Sequence, residues 1–92
     1  MAEQSFQTRP DIGVPPWAVN ICVGEKVITG NVPDRGALVA LFSKFAAKLP
    51  VPGERGLILM WLSDLPDPLP HFGCCSAEGW RVSFSGEIGV RL

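Results

Sequence analysis

The chain is poor in charge: 18% of its 92 residues are Asp, Glu, Lys or Arg, and 8 basic against 9 acidic side chains leave a formal net charge of -1. A protein that holds nucleic acid through its phosphates needs a clustered excess of Lys and Arg to displace counterions. With no such excess, nucleic acid is not an expected partner. Long apolar runs are also missing. The longest, Gly56 to Leu62, falls far short of the roughly 20 residues that cross a bilayer as a helix, so no membrane span is expected. The opening residues, MAEQSFQTRPDIGVPP, have no apolar stretch behind a positive start, so they do not read as a secretory signal, and a cytoplasmic location is expected.

Cysteine and histidine are scarce. Three cysteines, Cys22, Cys74 and Cys75, are an odd count, whereas small disulfide scaffolds use four, six or eight, and this points to a reducing compartment. With one histidine, only Cys74 and His71 could form a nucleophile and base, with Asp64 or Asp67 as orienters, and no catalytic signature surrounds them. No catalytic residue is assigned, no cofactor motif is found, and the chain is read as non-enzymatic. The same residues do give a second reading, a thiol or metal module of Cys22, His71, Cys74 and Cys75, because these are four soft or borderline ligands. Their spacing opposes it, since adjacent cysteines on a chain point in different directions.

What is plentiful is apolar side chain, at 47%, together with 9 prolines and 10 glycines. That is ample for one globular domain. Residues 1–16 mix Gln, Ser, Thr and Gly with Pro10, Pro15 and Pro16 and show no periodicity, so they read as an extended arm ahead of a single domain at 17–92. From Trp17 the alternation of Val19, Ile21 and Val23 predicts a strand. Gly24-Glu25 then predicts a two-residue turn of type II′, and a second strand over 26–32 places Ile21 opposite Ile28.

Asp34 reads as an N-cap, and Leu38, Leu41, Phe42, Phe45 and Leu49 recur at helical spacing, so a helix is predicted over 35–49 and stopped by Pro50. The continuous apolar run from Gly56 to Leu62 is read as a strand buried on both faces. Leu65 to Pro70 reads as a stiff extended connector, because Pro66, Pro68 and Pro70 donate no amide hydrogen bond. The end of the chain is read as a second hairpin, Trp80 to Phe84 against Ile88 to Leu92. The expected order is β-β-α-β-β-β: an α+β domain with one helix packed on a mostly antiparallel sheet of about five strands.

One helix covers only one face of such a sheet, which leaves apolar surface for a partner. Trp17, beside Pro15 and Pro16, is the candidate for a partly exposed anchor, since tryptophan is enriched at binding hot spots. The rigid Pro66, Pro68 and Pro70 segment loses little entropy on docking. Arg35, Lys44 and Lys48 form a modest basic patch that suits an acidic partner. The expected function is therefore a small protein that binds another protein, as an inhibitor, an adaptor or a subunit of a larger complex. Compact proteins of this size include inhibitors carried by phages and mobile elements. Self-association through a free sheet edge is the third expectation.

Overall fold

The computed structural model describes the chain from residue 12 to residue 87 and the backbone of residues 5–8 and 88. These residues form an α+β domain in which two helices pack on one antiparallel sheet. The strands are β1 (Ser5–Thr8), β2 (Gly13–Val23), β3 (Lys26–Val32), β4 (Phe72–Ala77) and β5 (Trp80–Ile88), and the helices are α1 (Arg35–Ala47) and α2 (Pro52–Ser63). Four strands, β2 to β5, make the body of the sheet. The short β1 adds to the outer edge of β4, giving the order β1-β4-β5-β2-β3 with every neighbour antiparallel.

The β2–β3 hairpin has the predicted register, with Ile21 opposite Ile28 and Cys22 opposite Val27. Gly24 takes φ 58 while no described non-glycine residue has positive φ, which matches a II′ turn. A second two-residue turn, Glu78-Gly79, joins β4 to β5 with Gly79 at φ 93. The Gly24 amide donates to the Gly79 carbonyl at 3.1 Å, so the two turns are tied side by side. Of the expected arm, the described parts lie on the sheet: Ser5–Thr8 pairs with β4, and residues 13–16 open β2. The β2–β5 register shifts between Val14 and Ala18, where Pro15 and Pro16 cannot donate to the ladder.

Three sequence expectations are corrected. Residues 56–62 are helix, not strand, so the domain has two helices rather than one. Ile58, Trp61 and Leu62 are the buried members of this stretch, at i, i+3 and i+4, and the buried Leu65 follows just past the end of the helix. Pro52 sits at the start of α2, where its missing amide costs nothing because that position has no intrahelical partner. The final hairpin moves as well: β5 runs unbroken through Gly86 to Ile88 and pairs back onto β4, a strand not foreseen in the sequence. The rest of the expected last strand, 89–92, lies outside the described residues.

Both helices lie on one face. α1 starts at Asp34, whose carboxylate accepts from the Ala37 amide at 2.8 Å, and buries Leu38, Phe42 and Ala46. α2 returns antiparallel to it, so Arg35 at the start of α1 reaches the last turn of α2. Its Nη2 donates to the Leu62 carbonyl at 3.0 Å and its Nε to the Leu65 carbonyl at 3.2 Å. Unpaired carbonyls at a helix C-terminus carry partial negative charge, so this guanidinium stabilises that end. Trp61 joins the layers, stacked on Phe42 of α1 at 6.0 Å and tilted against Phe84 of β5 at 5.8 Å.

Candidate functional site

The sheet is wider than its cover. β3 is an edge strand, and of its seven residues only Val32 is buried. Ile28 points to the helix side, opposite Ile21, yet is 59% exposed, and Val27 on the other side is 63% exposed. Leu41 and Phe45 of α1 belong to the predicted apolar stripe, but they are only half-buried, facing the exposed Ile28 across the gap. The result is an apolar groove along β3. Its larger part, about 470 Å³, is floored by Ile21, Val23 and Ile28 and walled by Leu41, Phe45 and Leu49. A second part of about 270 Å³ shares Ile21, Ile28 and Leu41 and continues past Gly30 and Asn31 to Val32. Such volumes are of the order that ligand sites use, about 300–1,000 Å³.

Charge is confined to one end. Lys26 from β3 and Lys44 and Lys48 from successive turns of α1 line the part of the groove nearest the β2–β3 turn. Among the described residues, none of the three ammonium groups is held in an ion pair. Across Val23, Leu49 and Pro50 lies a separate cleft of about 500 Å³ that carries Glu54 and Glu78 instead. The positive end of the groove thus borders a negative surface.

The other sequence candidates are placed as follows. Trp17, expected as a partly exposed anchor, is corrected to a core residue at 5% exposure. Its indole lies against Gly13 and Gly86, where a Cβ would stand 2.6 and 2.8 Å from the ring, and its Nε1 donates to the Pro70 carbonyl at 3.0 Å. Pro70 is itself buried, and residue 70 bridges Ile12, whereas Pro66 and Pro68 are exposed. Arg35 is engaged with the end of α2. Of the expected basic patch, Lys44 and Lys48 reach the groove, and Lys26, which sequence reasoning had not singled out, joins them.

The candidate metal set is not gathered. Cys75 faces the helices opposite Val82, while Cys74 pairs with Ser83 on the other face and Cys22 pairs with Arg81. Among the described residues, no three His, Cys, Asp or Glu side chains converge on one point. All three cysteines are free thiols. Burial, and secondarily the neighbouring Cys74, pushes the Cys75 thiol up to about 12, so it remains protonated and poorly nucleophilic at neutral pH.

No described helix is long and apolar enough to cross a membrane. No protein-family model, no curated protein and no solved structure matches the chain.

Proposed function

We propose that this is a small non-enzymatic protein, of the inhibitor or adaptor kind, that acts by binding another protein through the groove between α1 and β3. The observation that carries this reading is the groove itself, a lane of exposed aliphatic surface beside a strand edge that no described strand pairs, with three lysines at one end that no described acid holds. A well-packed small domain gains from covering such surface, and large contiguous exposed apolar patches on soluble proteins mark interaction sites. The scatter of the cysteines, His71 and the acids over both faces of the sheet and its loops favours binding over chemistry.

The test is photo-crosslinking in the cell that makes the protein, with benzophenone placed at position 28 in the groove and, as control, at position 81 on the opposite sheet face. The expected result is a discrete protein adduct through position 28, absent at 81 and lost when Lys44 and Lys48 are both changed to Glu. Adducts of equal yield from both positions, or none from 28, would overturn the reading.

A further inference from the structure

The open edge of β3 lets the partner be specified further. Because the β2–β3 loop has two residues, Val23 and Lys26 form a hydrogen-bonded pair, and such pairs then recur at every second position. Lys26, Ile28, Gly30 and Val32 therefore direct their amides and carbonyls to β2. Val27, Thr29 and Asn31 direct theirs outward, where no described strand receives them. Natural edge strands are commonly blunted by a central charge, a proline or a bulge. Here the sole charge, Lys26, sits at the first position, and Pro33 falls just beyond the last.

We infer that the groove is completed by an added strand: an extended segment of the partner that pairs antiparallel with β3 through Val27, Thr29 and Asn31, apolar on its helix-facing side and acidic at its C-terminal end. The direction follows from the geometry. β3 runs from the lysine-lined end of the groove toward Val32, so an antiparallel segment finishes beside Lys26, Lys44 and Lys48. Its apolar side chains lie along Ile28 and Leu41, and its carboxylates meet ammonium groups that no acid among the described residues holds. Main-chain hydrogen bonds to an edge give affinity in this mode of recognition, and alternate side chains give specificity. A second copy of this chain fits less well, because its β3 brings lysine rather than carboxylate to the interface.

This inference rests on the groove being a protein-binding site, and its test is separable from the crosslinking. A random seven-residue library displayed on phage is panned on the immobilised protein. Enriched sequences are expected to alternate apolar residues and to concentrate Asp and Glu toward their C-terminal end. Lys44→Glu combined with Lys48→Glu is expected to weaken a selected peptide by about tenfold, with melting unchanged. Thr29→Pro deletes an outward amide without touching the β2 ladder, and is expected to abolish binding where Thr29→Ala does not.

Enrichment of basic or proline-rich peptides, selected peptides indifferent to Thr29→Pro and the lysine pair, or no enrichment would each sink the strand-addition model, even if the crosslink at position 28 stands. A concentration-dependent dimer that Thr29→Pro abolishes would replace the foreign segment by a second copy.

Discussion

At the scale of single residues, this fold is governed by small side chains set against large ones. Gly73 lies on the helix side of β4, and a Cβ there would stand 2.5 and 2.6 Å from the Phe84 ring and 3.2 Å from the Trp61 indole. Both rings are buried and in contact with each other, so neither can swing aside. Gly73→Ala is expected to cost about 1–3 kcal/mol by overpacking, readable as a lower urea midpoint at unchanged slope. The same logic explains why β4, with the run Phe72 to Ala77, was hard to see in sequence. Glycine and alanine are weak strand formers, and Gly73, Cys75 and Ala77 make its inner face small, at Gly73 because the aromatic pair above leaves no room for a side chain.

Cys75 supplies a second prediction at this scale. Its thiol ionises at about 12 in the folded chain against an ordinary 9.0, so above pH 9 the unfolded chain loses a proton that the native chain keeps. The resulting stability is complete below about 9 and declines as pH climbs from there toward 12. Denaturant titrations at pH 8 and 10.5 should show this decline, and Cys75→Ala should flatten it. A thiol reagent at pH 8 is expected to leave Cys75 unmodified until the chain is unfolded.

At the scale of elements, α2 is the instructive case. Ile58, Trp61, Leu62 and Leu65 carry helical spacing, but Leu57, Leu59 and Met60 fill the gaps between them, so the periodicity disappears into one continuous apolar run. Pro52 was ambiguous for a related reason. Proline ends one helix and starts the next with equal ease, and here Pro50 and Pro52 stand between two helices joined by a short turn. α1 and the β2–β3 hairpin were legible because Asp34, Pro50 and Gly24 mark their ends without a competing reading. The lysines of α1 could be listed from sequence, but their meeting with Lys26 could not, since it depends on how far β3 projects beyond the helix.

The helical assignment of α2 is itself testable. A strand over 56–62 would put Ile58 and Met60 on the same face, whereas the helix buries Ile58 and leaves Met60 at 55% exposure. Ile58→Ala should therefore cost about 2–5 kcal/mol and Met60→Lys less than about 0.5 kcal/mol, both by denaturant melts. Equal losses would contradict the helix.

At the scale of the whole molecule, order is graded across the sheet. β5 and β2 lie at the centre, flanked on both sides and carrying the buried Val82, Phe84, Val19 and Ile21, while β3 holds the edge with one ladder only. Hydrogen exchange should follow this gradient. The amides of Val82 and of Asn20, which points to β5, are expected to be among the slowest and those of Val27, Thr29 and Asn31 among the fastest within strands. Selective slowing of those three on mixing with a partner segment would be the footprint of strand addition. The side proposed to receive a partner is thus the side least committed to holding the fold.

The burial of the indoles has a practical corollary. The chain has no tyrosine, so its ultraviolet emission comes from Trp17, Trp61 and Trp80 alone, and all three are sealed at 6% exposure or less. None of them lines the groove, where the aromatic wall is Phe45. Intrinsic fluorescence will follow unfolding clearly, whereas an occupied groove will reach it only through Trp80, whose indole meets the Phe45 ring edge-on at 6.0 Å. A titration watched only by tryptophan emission reads occupancy second-hand, through that single ring contact, so a fluorinated phenylalanine at position 45 is the more direct reporter.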